Sequence, residues 1–179
     1  MTGASPSGLR IRRLARVGDS DVEALAALMI DVVEGGASIG FMLPLAAGRA
    51  AAFWRGVGAG VDGGARVLFV ADDGDAIVGT VQLVLEQPEN QPHRADVAKM
   101  MVANSARRRG IGAALMRAAE DEAKTRGKTL LVLDTASADA ERLYARLGWQ
   151  RCGTVPGYAL LPRGGPCDTT YFYRVLEAA

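Results

Sequence analysis

Apolar and polar positions repeat with two different periods along this chain, and the changes of period mark out its elements. Leu9–Leu14 alternates enough to predict a first strand. Val22, Leu25, Met29 and Val32 then recur at helical spacing and predict an amphipathic helix over 20–33. Ser20 followed by Glu23 has the spacing of a capping box at its start, and Gly35-Gly36 ends it. Pro44, at a first helical position, predicts a second, alanine-rich helix running to about Gly58. Val67–Ala71 and Ile77–Leu85 are apolar and rich in β-branched residues, with turn chemistry in Asp72-Asp73-Gly74-Asp75 between them, which predicts a hairpin. Pro88 to Pro92 reads as a loop and Ala95–Val102 as a strand. Ala113–Arg126 reads as a helix stopped by Gly127, and Thr129–Leu133 as a short buried strand. Ala138–Leu147 is a helix stopped by Gly148, and Thr169–Leu176 closes the chain as a strand.

This order predicts an α/β chain with a mixed central sheet and helices on both faces. The first half supplies antiparallel neighbours, and helical crossovers dominate the second. Residues 1–8, small and polar, are expected to fray, which leaves 9–176 as a single domain.

Composition narrows the function classes. A chain of 179 residues with 49% hydrophobic and 23% charged positions suits one sizeable core. A formal net charge of +1 gives no reason to expect a nucleic-acid or membrane partner. The positive charge is mostly arginine, since Lys99, Lys124 and Lys128 are the only lysines. No apolar run is long enough to cross a bilayer, and Met1 to Gly8 lacks a signal-peptide core, so the expected location is the cytoplasm. Cys152 and Cys167 are then expected as free thiols. The single histidine, His93, excludes a histidine-rich metal site and falls in a polar loop, so no metal is expected.

The segment Arg107-Arg108-Arg109-Gly110-Ile111-Gly112-Ala113 lies between a predicted strand and helix. Its glycines allow a tight turn and close approach of a ligand. The first amides of the following helix point into that turn, where the helix dipole favours negative charge, so the geometry suits a pyrophosphate. The arginines add charge for a further phosphate. A plain glycine turn with a solvated basic run explains the same residues, as short motifs often match by chance. A dinucleotide-binding turn is a third reading, with Asp134 at about the distance of a ribose-binding acid. Against it, Leu115 is bulky at the third glycine position, Val102 and Gly110 stand far apart, and the preceding segment is an antiparallel-looking hairpin.

Arg-x-x-Gly-x-Gly after a strand resembles the coenzyme A pyrophosphate motif of the GCN5-related N-acetyltransferase (GNAT) family. Ser137, Ala140, Leu143-Tyr144 and Leu147-Gly148-Trp149 resemble that family's Asn-x-x-Ala-x-x-Leu-Tyr-x-x-x-Gly-Phe segment, with serine for asparagine and tryptophan for phenylalanine. The resemblance spans about residues 9–176. It implies the GNAT fold, acetyl-CoA as co-substrate, and a transfer of acetyl to an amine. It places the coenzyme against Arg107, Arg108, Arg109, Gly110, Ile111, Gly112, Ala113, Ser137 and Tyr144, with the backbone of Met100, Met101 and Val102 pairing with the pantetheine arm and polarising the acetyl carbonyl. A narrower resemblance, to the tabtoxin-resistance acetyltransferases, is carried by Gly35–Met42, Arg94–Val102, Leu133-Asp134-Thr135 and Pro156-Gly157-Tyr158. It implies a small, amino-acid-like acceptor, and resistance to a toxin or antibiotic as the use.

Such a transfer must deprotonate the amine, polarise the thioester carbonyl and stabilise the departing thiolate. Asp96, early in the strand that leads to the glycine loop, is the candidate base, directly or through water; a surface aspartate paired with Arg94 or Lys99 is the alternative. Asp134 ends the neighbouring strand and is expected to share the amine with Asp96; the alternative is a cap for the helix that follows. Tyr144, which matches the family's tyrosine near the coenzyme sulfur, is the candidate acid; an interface tyrosine with a buried ring is the alternative. Gly35–Met42, with Ser38 and Phe41, is expected to line the acceptor pocket or simply to break the helix. Three functions follow: direct N-acetyl transfer to a small amine by a monomer or homodimer, acetylation of protein amino termini or lysines, and a non-catalytic acyl-CoA sensor.

Overall fold

In the computed structural model, residues 8–74 and 76–177 are described. Most of the expected tail, and Asp75 of the expected turn, lie outside them. The elements are β1 (Arg10–Leu14), α1 (Asp19–Glu34), α2 (Ala47–Asp62), β2 (Arg66–Asp72), β3 (Ile77–Val84), β4 (Arg94–Val102), a 3₁₀ turn (Asn104–Ala106), α3 (Ile111–Thr125), β5 (Leu130–Thr135), α4 (Ala138–Arg146), β6 (Gln150–Leu160) and β7 (Pro166–Val175). The strands form one seven-stranded sheet in the order β1-β2-β3-β4-β5-β7-β6. Every neighbouring pair is antiparallel except β4 and β5, which are parallel and joined through α3.

Alternation along β2 splits the core into two layers. Val67, Phe69 and Ala71 face one side, where Ile111, Leu115 and Met116 of α3 cover them together with Tyr144 of α4. Leu68 and Val70 face the other, under Leu25 and Met29 of α1 and Trp54 of α2. Helices thus cover both faces, as the sequence predicts. Trp149, just after α4, locks the first layer: its indole Nε1 donates to Glu120 Oε1 at 2.8 Å in a buried site, with Arg174 Nε 3.4 Å from the other carboxylate oxygen. Trp149→Phe removes that donor, and a loss of about 1–2 kcal/mol of stability is expected in urea unfolding, since a buried carboxylate is left short of a partner.

Three expectations are corrected. The cap of α1 is Gly18, two residues before Ser20; the Asp21 carboxylate reaches back to accept the Gly18 amide at 3.1 Å, the part expected of Glu23. Helix α2 begins at Ala47, beyond Pro44, whose bond to Leu43 is cis, and it continues past Gly58 to Asp62. Gly58 lies inside the helix, and the absent Cβ makes room for Val17, which would lie 3.1 Å from it. The position of strand β6 was not expected; the element order allows a second closing strand without placing it. It carries Pro156 and two glycines, and most of its residues are exposed, so no period of two is written into it. Pairing with β7 makes it a strand, and its place at the sheet edge tolerates the proline.

Candidate active site

The sheet opens where β4 and β5 meet. Their parallel pairing runs only through Arg94↔Leu130, Ala95↔Leu131 and Asp96↔Val132, although β4 continues to Val102 and β5 to Thr135. A bulge accompanies the parting. Ala98 lies opposite Gln82 and Met101 opposite Thr80, so Lys99 and Met100 together face Val81. Lys99 has φ of 50°, a left-handed value uncommon for a side chain of its size. Beyond Asp96, the β5-facing backbone of β4 has no strand partner, and this stretch includes the Met100–Val102 segment expected to meet the coenzyme.

The chain after β4 is anchored before it turns. The Asn104 amide donates to Asp31 Oδ2 and its Nδ2 to the Asp31 carbonyl, both at 2.8 Å, at the C-terminal end of α1. Gly35 makes this possible, because a Cβ there would lie 2.5 Å from Asn104 Nδ2. Gly35→Ala is therefore expected to cost about 1–3 kcal/mol in thermal unfolding through overpacking, and to weaken coenzyme binding by loosening the loop that follows. In that loop Arg108 (φ 62°) and Gly110 (φ 77°) both take the left-handed region, and α3 starts at Ile111 with no side chain among the described residues capping its first amides. Arg107, Arg108 and Arg109 are exposed, with Arg109 3.8 Å from Asp73. A Cβ on Gly112 would lie 3.0 Å from Leu143 of α4 and 3.6 Å from Met100 Sδ, so that glycine brings α3, α4 and β4 close together. Ser137 is the cap of α4: its Oγ accepts the Ala140 amide at 3.3 Å, while its own amide donates to Thr135 Oγ1 at 3.1 Å. Asp134 does not serve as that cap.

A cleft of about 460 Å³ lies at the opening, and Asp96 and Asp134 both line it. Their situations differ. Asp96 is ion-paired with Arg94 and accepts from Gln87 Nε2 at 3.2 Å, while Arg94 also bonds Gln91 and Gln87. Asp134 is exposed to the cleft and has no hydrogen bond or ion pair among the described residues. Its charge acts on Tyr144, whose ring is 4% exposed and packs against Trp149 and Phe172 at 6.0 and 5.8 Å. Burial first and the Asp134 charge second hold the Tyr144 phenol well above its ordinary value of 10.0. A proton held more tightly by the folded chain contributes fully below pH 10, and that contribution is lost above it. The melting temperature of the wild type is expected to fall more steeply above pH 10 than that of Tyr144→Phe.

Sequence reasoning did not find several residues of the cleft, including Lys99, Arg66, Phe53 and Tyr171. Lys99 carried a signal, as the one charge in the run Val97-Ala98-Lys99-Met100-Met101-Val102. Burial lowers its proton affinity; Asp134 works against that shift and Arg66 adds to it. Tyr171 donates its hydroxyl to that of Tyr158 at 3.1 Å; this bond, then burial and the neighbouring acidic groups, push it up to about 12. The Gly35–Met42 stretch reaches the cleft only in part. Phe41 packs edge-on to Phe53 at 5.4 Å, and Gly40 lies beside the Lys99 ammonium. Ser38 turns to the β6–β7 hairpin, accepting from Cys167 Sγ at 3.5 Å and donating to the Leu160 carbonyl at 3.4 Å. Leu43, whose amide donates to the Pro162 carbonyl, and Arg163, which donates to the Glu34 carbonyl, complete that attachment. Both cysteines are free thiols, outside the cleft lining. His93 offers its carbonyl to Thr129 and Leu130, and its ring does not line the cleft. No helix among the described residues is long and apolar enough to cross a membrane.

Known proteins agree with this architecture. The N-acetyltransferase of the hisH-hisA intergenic region of Azospirillum brasilense is 31% identical over 126 residues, 69% of this chain and 73% of that protein. An N-acetyltransferase from Staphylococcus aureus Mu50 superposes with a TM-score of 0.79 at 18% identity, covering 96% of this chain and 100% of the other. The acetyltransferase yncA of Salmonella typhimurium, solved with its cofactor acetyl-CoA, superposes at 0.78 and 18% identity, over 97% and 96% of the two chains. The sequence pattern of the Acetyltransferase (GNAT) family matches residues 48–149, from the start of α2 through the parted strands and the glycine loop to Trp149. The chain belongs to the GNAT family of N-acetyltransferases.

Proposed function

We propose that this enzyme moves the acetyl group of acetyl-CoA directly to the primary amine of a small, amino-acid-like molecule. The observation that carries the reading is the unpartnered carboxylate of Asp134, facing the cleft at the parting of β4 and β5. The residues present fit the donor. The uncapped first turn of α3, with Arg107 and Arg108 beside it, suits a pyrophosphate, and the unpaired edge of β4 suits an amide-bearing arm. Bound acetyl-CoA supplies a thioester, the electrophile of the reaction.

The chain's own groups then divide the work. Backbone at Met100–Val102 orients the arm and polarises the carbonyl. Asp134 receives the acceptor's ammonium and takes its proton, directly or through water. Asp96, tied to Arg94, adds negative charge to the same cleft without a free lone pair of equal standing. Tyr144 keeps its proton at neutral pH and donates it to the departing sulfur. Neither cysteine lines the cleft, which supports transfer without an acetyl-enzyme. A volume of about 460 Å³ is large enough to hold a small acceptor. Toxin or antibiotic resistance is the use such an acceptor suggests.

The test is thiol release from acetyl-CoA across small amines, amino acids, β-lactam toxins and peptides. Release with a small amine is expected. Release with peptides alone would make the enzyme a protein acetyltransferase, and coenzyme binding without any release would make it a sensor.

A further inference from the structure

Five charged side chains line the cleft, and three are accounted for within the protein. Arg94 and Asp96 satisfy each other, and Arg66 Nη1 donates to Gln82 Oε1 at 2.8 Å. Lys99 and Asp134 remain, neither with a hydrogen bond or ion pair among the described residues. Lys99 is half-buried, with its ammonium 5.9 Å from the centroid of the Phe53 ring. That distance is at the outer reach of a cation–π contact and leaves the ammonium donors without an acceptor. A half-buried cation with no direct acceptor among the described residues is favoured by an anion that enters the cleft and reaches it.

The neighbourhood repeats the pattern. Gln82 is fully buried, and its Nε2 has no partner among the described residues. Its amide cannot be turned around to relieve this, because the Arg66 guanidinium needs the oxygen. Gln82 lies across the β3–β4 ladder from Ala98, which is part of the cleft wall. The Lys99–Arg66 side therefore holds donors short of acceptors, while Asp134 is an acceptor short of donors. The β4 bulge and the left-handed backbone at Lys99 accompany this placement, and a Cβ on Gly40 would lie 3.8 Å from Nζ, so the glycine keeps the ammonium uncrowded.

We propose that Lys99, backed by Arg66, holds the carboxylate of the acceptor, so that the substrate is a zwitterionic amino acid whose amine meets Asp134. This rests on the acetyl-transfer reading above and narrows its substrate class. The same charges oppose a decarboxylated amine or a peptide terminus, which would leave the Lys99 ammonium uncompensated.

The experiment pairs each common amino acid with its own carboxamide in the thiol-release assay, for wild type, Lys99→Met and Lys99→Arg, with kcat and KM separated. The wild type is expected to prefer the acid by at least about 30-fold in kcat/KM, mostly through KM. Lys99→Met should bring that ratio below about threefold, and Lys99→Arg should restore most of it. A general loss of folding lowers both rates and leaves the ratio where it was, so the ratio is the readout; Lys99→Gln supplies the same comparison if Lys99→Met does not fold. Equal use of acid and amide by the wild type, or an unchanged preference in both neutral variants, overturns the inference. Release with simple amines or peptides but with no free amino acid overturns it and leaves acetyl transfer standing. No release with any amine overturns both.

Discussion

Asp134→Asn is expected to lower kcat by about 10³-fold while leaving acetyl-CoA affinity unchanged. A positioned proton acceptor is worth about 10²–10⁴ in rate, and Asp134 is the cleft carboxylate whose lone pairs no donor among the described residues occupies. Asparagine keeps the shape and can still accept a hydrogen bond, but it can neither balance an ammonium nor take its proton. The coenzyme loop lies on other elements, anchored through Asn104 and α3, so calorimetric binding of acetyl-CoA should not move. Asp96→Asn makes the contrast. That carboxylate is already held by Arg94 and Gln87, and its loss is expected to cost about tenfold, an electrostatic change without removal of the base. A kcat for Asp134→Asn within threefold of wild type, or a greater loss in Asp96→Asn, would reverse the two roles.

The difference between these aspartates was not legible in the sequence. Both end or begin apolar strands, and either could have been paired. The Arg94 partner of Asp96 is two residues away and was among the sequence alternatives; that Gln87 joins it, and that no donor among the described residues reaches Asp134, belongs to the folded chain. The fold itself was largely legible, because each helix facing the sheet repeats its apolar positions and the hairpin carries its own turn chemistry. Asp72 Oδ1 accepts the Gly74 amide at 2.8 Å, a contact between near neighbours that sequence can specify. The glycine loop was legible for the same reason: the left-handed backbone at Gly110 and the uncapped start of α3 are local properties. Strand β6 and the parting of β4 from β5 were not, since both depend on which strands become neighbours. Lys99 stands between these cases. A single charge in an apolar strand was visible, but its cleft, its Phe53 ring and its nearness to Asp134 belong to the folded chain.

Tyr144→Phe is expected to reduce kcat by about 10²-fold, with coenzyme affinity and melting temperature at pH 8 nearly unchanged. The ring fills its place against Trp149 and Phe172 in either residue, so packing is retained and only the O–H is lost. Two tyrosines compete for the part of acid. The Tyr171 hydroxyl is committed to Tyr158 at the exposed side of the cleft, and Tyr171→Phe is expected to cost about threefold. The Tyr144 hydroxyl donates to no group among the described residues, and its surroundings keep it protonated well beyond neutral pH, so it is a proton donor over the whole range in which an amine can be the nucleophile. Its raised affinity for the proton also makes it a reluctant acid, because a thiolate, whose thiol titrates at about 8.5, is the weaker base. The loss on Tyr144→Phe should therefore be seen in kcat, in the step that releases the thiol, and pre-steady-state release should slow as much as turnover. If Tyr171→Phe produced the larger loss instead, the acid would lie on β7 at the cleft mouth, and the buried phenol of α4 would be a packing residue whose hydroxyl the reaction does not use.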